Sequence, residues 1–533
     1  MVVNKTRIMV VGGGATGVGI IRDLALRGID AVLVEQQDLA HGASFRFHGL
    51  LHSGARYAVK DPSAAKECIT ENLILKKIAP TCVKESGGLF LQHKNDEDKY
   101  VEEWLTACQQ AGIPFKELSI QEIRRGNPYL TKDLKKGYLV PDAIIDGPRL
   151  VWANVHQAIK YGAKVLTYTK LTGLKIENGK VVGAEVINTL TREKSYWECD
   201  YIINAAGTWA DEVAKLGGME LKITKNKGSL LVFNLRLTPK VLNRLRPPDD
   251  GDIIVPHHTV TILGTTSINV DQPDSAKPTS EEVEILLKAG KELLPNIDQY
   301  RLLRAYAGVR PLYAGNSDSG EDGRNISRDF VILDHKLEGL KGFISLVGGK
   351  LTTYRLIAEK TVDYLCKEMG IKRLCTTAQV PLVDPALTEE KKGKINPWIF
   401  RYGEEGTKIE QYLEKHPEKN IILCECEDVS FAEVEEVASW ESTNNLDDLR
   451  RKTRIGMGTC QGLYCSFRSL GTAWESLKKK PEHPLHQLGN FLERRFKGQR
   501  TLLWESQIKE SELTLGVYST IFNLERVEVT DEI

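Results

Sequence analysis

A glycine-rich turn near the start of the chain constrains the fold more than any other part of the sequence. The apolar run 8–11 leads into the pattern Gly-x-Gly-x-x-Gly formed by Gly12, Gly14 and Gly17. A helical pattern follows, and a second apolar run ends at Glu35. Gly12 permits a sharp turn, Gly14 permits close approach to a pyrophosphate, and Gly17 permits the helix to pack near the strand.

This order of strand, turn, helix, strand and acid predicts a dinucleotide-binding unit. The helix, expected over about 16–27, directs N–H groups at its start, around Ala15 and Thr16, toward the phosphates. Glu35 is expected to accept hydrogen bonds from a ribose. The alternative is a glycine-rich turn in an ordinary α/β domain, which leaves the acid without a role.

Further strand-to-glycine turns favour FAD over NAD. They occur around 48–57, 201–209 and 343–354, far apart along the chain. Such spacing suits a long cofactor that lies in one domain assembled from distant segments. The additional residues predicted to contact FAD are Gly42, Ser44, Gly49, Leu51, Ala206, Gly207, Trp209, Gly349, Lys350, Leu351 and Thr352.

Length and composition indicate a globular protein of two or three domains. The chain has 533 residues, of which 41% are hydrophobic and 27% charged. A formal net charge of zero gives no global attraction to nucleic acid or to an anionic membrane. We expect no signal peptide and no transmembrane helix, and therefore a cytoplasmic protein whose membrane association depends on a partner.

The cysteines divide into two groups. Six are scattered and are expected to be buried, reduced thiols: Cys68, Cys82, Cys108, Cys199, Cys366 and Cys375. The other four form two close pairs, Cys424 with Cys426 and Cys460 with Cys465.

The spacer between the two pairs begins with a capping box at 430–433, and a short helix is expected at about 446–452. The residues 456–458, Gly-Met-Gly, bring the backbone tightly around the second pair. Four thiolates on two tight loops predict a sulfur site for zinc or iron–sulfur. The spacing resembles the [2Fe-2S] domain of bacterioferritin-associated ferredoxins. A structural zinc and a metal-free interaction domain are the alternatives.

The segments between the glycine turns are rich in strand patterns. A hairpin is expected around 177–180, and further strands at 229–233, 252–255 and 259–266 precede a helix at about 281–294. They predict an antiparallel substrate domain that covers the flavin. Four cations lie beside glycine loops: Arg56, Arg310, Arg328 and Lys350. Solvent exposure is the default for each, but together they would suit a phosphate or a carboxylate.

The combined motifs resemble the FAD-dependent glycerol-3-phosphate dehydrogenases. With the C-terminal cysteines, the chain is most similar to the catalytic A subunits of the anaerobic branch. The likeness extends over essentially the whole chain and is strongest in the segments 12–17, 49–57, 304–312, 327–329, 348–355 and 456–462.

The resemblance implies oxidation of sn-glycerol 3-phosphate to dihydroxyacetone phosphate by hydride transfer to FAD. It also implies that electrons leave through a B subunit, then through a membrane-docked iron–sulfur C subunit, to quinone. This would place the chain peripherally on the inner face of the cell membrane.

The same resemblance implies roles for particular side chains. Arg56, Tyr57, Arg310 and Arg328 would bind the substrate, and Lys350 would lie near both substrate and flavin. Arg310 would also stabilise alkoxide character. His52 is the candidate for proton transfer. The other candidates, His257 and His258, are expected to be exposed loop residues.

The predicted fold is therefore α/β. It combines a Rossmann-like FAD domain, an antiparallel β substrate domain and a small C-terminal helical iron–sulfur domain. We expect an oxidoreductase part over 1–383, with FAD-binding segments at about 1–80, 145–225 and 325–383. A connector over 384–420, the cysteine domain over 421–475 and a helical segment over 476–533 complete the chain.

One departure from the family and two alternative functions remain. Phe45 and Phe47 are aromatic where the relatives usually carry small, polar residues near the FAD ribityl chain. The alternatives are a related FAD-dependent amine or 2-hydroxy-acid dehydrogenase, and a flavin-bearing electron-transfer subunit with zinc in its cysteine domain.

Overall fold

The structure is a computed structural model, which describes residues 2–274, 276–313, 326, 329–388, 396–477, 484–502 and 506–524. Arg328, predicted to bind the substrate, lies outside the described residues.

A six-stranded sheet forms the nucleotide-binding part of the molecule. Neighbouring strands are parallel except for the last pair, which is antiparallel. The strands come from four distant parts of the chain, as predicted for an FAD domain. In spatial order they are Lys164–Leu166, Ala31–Val34, Ile8–Val11, Tyr201–Asn204, Phe343–Gly348 and Phe330–Asp334.

Three helices cover one face of this sheet, because parallel strands are buried on both sides. They are Ala15–Leu26, Gly147–Lys160 and Tyr354–Glu368. The first of them turns Val18, Ile21 and Leu24 into the shared core, where all three are fully buried. The helix predicted after the glycine turn is thus confirmed, with its start one residue earlier.

The other face carries a four-stranded sheet. Its strands in order are Val2–Lys5, Lys194–Glu198, Lys180–Asn188 and Thr169–Glu177. The predicted hairpin is confirmed: Asn178 and Gly179 both have positive φ (50° and 70°), as a type I′ turn requires.

A nine-stranded, mainly antiparallel sheet forms the predicted second β region. One inner contact, between Val241–Arg244 and Gly88–His93, is parallel. The expected helix is Ser280–Leu293, and it begins with a capping box at Thr279. The remaining strands of this sheet are Lys116–Glu117, Leu134–Val140, Thr224–Phe233, Ile253–His257, Val260–Gly264, Ile268–Asn269 and Leu302–Leu312. A small sheet of Leu50–Leu51, Val83–Lys84 and Ala143–Ile145 lies between the two parts.

The C-terminal part is helical and has its own hydrophobic core. The helices expected at 446–452 and around 485–496 are confirmed as Leu446–Thr453 and Pro484–Lys497. The capping box at Ser430 and Glu433 is also present. The other elements of this part are Pro397–Tyr402, Gly403–Glu405, Gly406–Lys415, Pro417–Lys419, Ile422–Cys424, Val429–Ser430, Phe431–Ala438, Cys465–Trp474, Arg500–Leu502 and Ser506–Phe522.

The remaining elements are Pro62–Ile78, Asp98–Ala111, Ile120–Gly126, Gly207–Trp209, Ala210–Lys215, Ile297–Gln299, His335–Glu338, Leu351–Thr353 and Pro385–Thr388. No helix within the described ranges is both long and apolar enough to cross a membrane. The predicted domain boundaries remain predictions.

The scattered cysteines follow the expectation with one exception. All ten cysteines are free thiols, and five of the six scattered ones are buried. Cys375 is partly exposed, so its predicted burial is wrong. Burial raises the pKa of Cys68 to about 11, which keeps this thiol protonated at neutral pH.

The close approach of the helix Ala15–Leu26 to the glycine turn can be tested by a substitution at Gly17. A Cβ at this position would lie 1.9 Å from the carbonyl oxygen of Gly12. We therefore expect Gly17→Ala to force backbone movement, at a cost of about 1–3 kcal/mol, and to lower the melting temperature by several degrees in calorimetry. Gly126→Ala is the control, because a Cβ there meets nothing within 4 Å. Equal melting temperatures for the two variants would contradict this packing argument.

Candidate active site

A single cleft of about 1920 Å³ runs between the six-stranded and nine-stranded sheets. It opens at the carboxyl ends of the parallel strands, where ligands bind in open α/β sheets. The four predicted glycine turns converge there. The predicted residues that line the cleft are Gly12, Gly14, Ala15, Thr16, Glu35, Gly42, Ser44, Gly49, His52, Arg56, Tyr57, Ala206, Gly207, Trp209, Arg310, Gly349, Lys350, Leu351 and Thr352.

The first glycine turn has the shape that a pyrophosphate needs. Gly12 has a φ of +112°, and a Cβ there would lie 2.6 Å from the carbonyl oxygen of Ala205. At Gly14, a Cβ would meet only the Ser44 hydroxyl, at 3.3 Å. The Ala15 N–H donates to the same hydroxyl at 2.9 Å. Open backbone at the start of a helix fits the phosphates of a dinucleotide.

Glu35 stabilises this turn from the side. Its carboxylate accepts hydrogen bonds from the backbone N–H groups of Gly13, at 2.7 Å, and Gln37, at 2.9 Å. Burial raises its pKa, and the two N–H donors oppose that shift. The predicted contact with a ribose therefore starts from a carboxylate that is already oriented.

Two predicted cofactor residues do not face the cleft. The Leu51 side chain is fully buried in the core below the small sheet. Because side chains alternate along a strand, it is the Leu50 side chain that lines the cleft, and the assignment of Leu51 to the cofactor site stays a prediction. Gly17 acts through helix packing, as its role in the turn predicted.

The two aromatic residues that depart from the family also line the cleft. Phe47 packs on the start of the helix Gly147–Lys160, where a Cβ on Gly147 would lie 2.8 Å from the phenylalanine ring. Its carbonyl oxygen accepts a hydrogen bond from the Tyr306 hydroxyl at 2.7 Å. Phe47 thus joins the loop 41–49, which we call the flavin loop, to the nine-stranded sheet.

A row of rings connects the predicted catalytic residues. The His48 and His52 ring centroids lie 5.7 Å apart, and those of His52 and Tyr57 lie 5.2 Å apart. The Lys350 ammonium lies over the Tyr57 ring, 5.0 Å from its centroid. The His52 backbone N–H donates to the Thr352 hydroxyl at 3.2 Å. The loop around His52 and the glycine turn at 343–354 therefore meet at one end of the cleft.

Arg310 enters the cleft from the strand Leu302–Leu312. Its guanidinium donates to the side-chain oxygen of Asn226, at 2.6 Å, and to the Thr265 hydroxyl. The guanidinium occupies the space that a Cβ on Gly228 would need. A glycine on the neighbouring strand therefore creates the room in which Arg310 is held.

Arg56 is held by acidic partners. It forms an ion pair with Asp252, at 3.1 Å, and donates to the carbonyl oxygen of Asp249 at 3.2 Å. Asp252 also pairs with Arg246, at 2.9 Å. Burial raises the pKa of Asp252, and its two arginine partners oppose that shift.

His48 is a cleft residue that the sequence interpretation missed. Its Nδ1 accepts a hydrogen bond from the Leu50 N–H at 3.1 Å. Burial, followed by the positive charges of Arg310 and Arg56, lowers its pKa to about 3. The ring is neutral at physiological pH, so its proton lies on Nε2 and it can only donate from that atom. Its place at the start of the glycine-rich segment 48–57 was the sequence feature that could have identified it.

His257 corrects a further expectation. It ends the strand Ile253–His257 and is only 8% exposed, so its assignment to an exposed loop is wrong. A Cβ on Gly49 would lie 2.6 Å from its ring. Burial is the largest influence that lowers its pKa, to about 3, and Arg454 acts in the same direction. The side chain of His258 is 40% exposed, as expected.

The four C-terminal thiols contact one another in a chain. The Cys465 thiol influences the pKa of Cys424 and of Cys460, and Cys426 also influences that of Cys460. The neighbouring Cys465 thiol and the Gly456 N–H lower the pKa of Cys424 to about 7.

Cys460 is the most acidic of these thiols. The neighbouring Cys465 thiol and the backbone N–H groups of Tyr464 and Gly462 lower the pKa of Cys460 to about 5. Across the described residues, no group of three or more His, Cys, Asp or Glu side chains has the arrangement of a metal-ion site.

Arg454 connects the cysteine loops with the cleft. Its guanidinium pairs with Glu427, at 2.9 Å, and with Asp146, at 3.2 Å. Glu427 follows Cys426, while Asp146 lines the cleft and caps the helix Gly147–Lys160. Sequence patterns contain no signal for this bridge, because its members are far apart along the chain.

The Arg454 bridge should matter for stability. Arg454→Met leaves Asp146 and Glu427 as buried charges without this partner, which typically costs about 3–5 kcal/mol. We expect a clearly lower melting temperature in calorimetry. Arg468→Met is the matched control, because its pair with Glu425 is solvent-exposed and worth less than about 1 kcal/mol. Similar losses in both variants would contradict a special role for Arg454.

Comparison with known proteins shows the family of the chain. Residues 7–355 match the FAD dependent oxidoreductase family, DAO. The A subunit of the anaerobic glycerol-3-phosphate dehydrogenase of Haemophilus influenzae is 41% identical over 99% of this chain and 95% of its own length. The chain belongs to the family of anaerobic glycerol-3-phosphate dehydrogenase A subunits. The A1 subunit of the Haloferax volcanii enzyme of the same name is 38% identical over 97% of this chain and 90% of its own.

A solved structure supports the fold of this family member. Glycerol-3-phosphate dehydrogenase from Bacillus halodurans, complexed with FAD, superposes with a TM-score of 0.70. The alignment covers 94% of this chain and 96% of that one, at 22% identity. The predicted family and α/β fold class, and the assignment to an FAD-dependent oxidoreductase, are confirmed.

Proposed function

We propose that this chain oxidises sn-glycerol 3-phosphate to dihydroxyacetone phosphate. In this reaction the substrate C2–H leaves as a hydride to FAD, and the C2 hydroxyl gives up its proton. The observation that carries the proposal is the convergence of Arg56, Arg310 and Lys350 with His52 at one end of an FAD-type cleft. Family membership supports it.

The cleft residues fit FAD along its length. Gly12, Gly14, Ala15 and Ser44 would hold the pyrophosphate, and Glu35 would hold the ribose. The turns around Ala206 and Gly349 would approach the rest of the cofactor, whose flavin ring supplies the hydride acceptor when bound.

Arg310 and Lys350 would bind the substrate. A guanidinium fork suits phosphate oxygens or a developing alkoxide, and an ammonium acts as a point charge. Arg310 is already fixed by Asn226 and Thr265, so little reorganisation is needed when charge develops. Arg56, held by Asp252, and Tyr57 would complete this end. Arg328 belongs to the proposal through its family motif alone.

His52 is the proposed proton acceptor. His48 does not suit the role, since its Nδ1 already accepts from Leu50 and its Nε2 carries the proton. His48 would instead donate a hydrogen bond and help to orient His52 or the flavin. His52 lies against both Tyr57 and His48, which restricts its ring to few orientations.

The C-terminal thiols are proposed to hold a [2Fe-2S] cluster. The closeness of the four thiols supports this proposal. So do the backbone N–H groups that lower the pKa of Cys424 and Cys460, because iron–sulfur clusters are held by cysteine thiolates. A bound cluster accepts electrons singly. Structural zinc is the alternative.

Electrons would continue through B and C partner subunits to quinone. The two relatives described above are named as A subunits, which implies other subunits in those enzymes. On this proposal the chain is cytoplasmic and peripheral, and its partners hold it at the inner face of the membrane.

Dye reduction with glycerol 3-phosphate tests the proposed reaction. We expect turnover with this substrate, and a fall in kcat/KM of about 10²–10³-fold in Arg310→Lys, because lysine lacks the guanidinium fork. Arg125→Lys, at an exposed helix position, should change nothing. No turnover with glycerol 3-phosphate, together with turnover of an amine or a 2-hydroxy acid, would overturn the proposal.

A further inference from the structure

A second cluster of positive charge lines the cleft, away from the residues assigned above. Its members are Arg46, Arg304, Arg450, Arg494 and Lys497, which we call the cationic lobe. They come from the flavin loop, the strand Leu302–Leu312 and two C-terminal helices. The lobe therefore exists only because the C-terminal part packs over the cleft.

Arg450 is the most deeply buried member. It is only 9% exposed, and its Nε atom has no hydrogen-bond partner among the described residues. The guanidinium lies 5.9 Å from the ring centroid of Phe491, which fixes its position. Burial, together with repulsion by Arg304 and Arg494, lowers its pKa to about 9. A buried cation that faces other cations is costly unless an anion joins it.

Arg304, on the opposite wall of the cleft, has an environment similar to that of Arg450. Its Nε atom also lacks a partner within the described chain. The helix end opposite carries Gly498, where a Cβ would lie 3.1 Å from the Arg304 guanidinium. Burial lowers the pKa of Arg304, and Arg46 and Arg495 act in the same direction.

Nearby acids neutralise only part of the lobe. Asp447 pairs with Arg494, and Asp274 accepts a hydrogen bond from the Trp209 ring nitrogen at 3.3 Å. In the described ranges no carboxylate forms an ion pair with Arg46, Arg304, Arg450 or Lys497. The lobe thus retains excess positive charge.

The FAD pyrophosphate does not account for this charge. It is expected at the glycine turn and the start of the helix Ala15–Leu26, and none of the lobe residues belongs to either. Guanidinium groups that converge from different elements are suited to bidentate recognition of phosphate oxygens.

We propose that the cationic lobe binds a small phosphate-bearing anion, at a site distinct from those of FAD and the oxidised substrate. The anion joins Arg450 and Arg304 across the cleft and so bridges the C-terminal part to the nine-stranded sheet. This site does not depend on the proposed function.

Calorimetric titration of the FAD-loaded, full-length protein with inorganic pyrophosphate tests the site. We expect saturable binding at one site per chain that weakens with rising salt. Arg450→Gln and Lys497→Gln should each weaken binding by about tenfold or more, the usual effect of losing a charged hydrogen bond. Lys497 is exposed, so its substitution keeps the test valid if Arg450→Gln fails to fold.

Arg125→Gln serves as the control and should bind pyrophosphate like the wild type. FAD absorbance per chain is measured on every preparation and should be unchanged. Absence of saturable binding, or equal affinity in all variants, would overturn the proposal. So would loss of FAD from the lobe variants with pyrophosphate binding retained, which would assign the lobe to the cofactor. Dye reduction on the same samples reports separately on the proposed function.

Discussion

Asp38 is the point on which the arrangement of the two halves of the molecule depends. It is completely buried and pairs with both Arg451 and Lys452, each at 3.1 Å. Arg451 also pairs with Asp448, at 2.6 Å, and Asp448 accepts a hydrogen bond from the Tyr168 hydroxyl at 2.7 Å. Removing one partner from such a network leaves a buried charge and typically costs about 3–5 kcal/mol. The network therefore favours one orientation of the C-terminal part on the flavin part.

That fixed orientation gives the cleft a wall that the oxidoreductase part alone does not have. The helix that carries Arg451 also carries Arg450, and the turn after it carries Arg454. Arg450 faces the cleft as part of the cationic lobe, while Arg454 joins the cysteine loop at Glu427 to the helix cap at Asp146. One short helix and the turn after it thus link the cysteine loop, the cleft and the flavin part.

The sequence was most informative where structure is determined locally. The glycine turn, the Asn178–Gly179 hairpin and the capping box at Ser430 follow from short-range backbone rules, and all are present. Most of the cofactor residues predicted from the glycine turns line the cleft. The pattern did not show that it is the Leu50 side chain, and not that of Leu51, which faces the cleft, because the side chains of adjacent strand residues face opposite ways.

Contacts between distant segments could not be predicted in this way. The parallel pairing of Val241–Arg244 with Gly88–His93, the Asp38 network and the Arg454 bridge join residues separated by long stretches of chain. His257 was misjudged because its burial depends on the approach of the Gly49 loop. The protonation of His48 likewise depends on two arginines from other elements.

We propose that electrons from the substrate leave the flavin through an iron–sulfur cluster that the four C-terminal thiolates would hold. The most direct measurement is a single anaerobic turnover followed by absorption and electron paramagnetic resonance, with iron and sulfide analysis of the same sample. We predict about two iron and two sulfide per chain, flavin bleaching on addition of glycerol 3-phosphate, and a paramagnetic iron–sulfur signal that Cys460→Ser abolishes while bleaching persists. Flavin bleaching without that signal in a wild-type protein that contains zinc in place of iron would contradict the account.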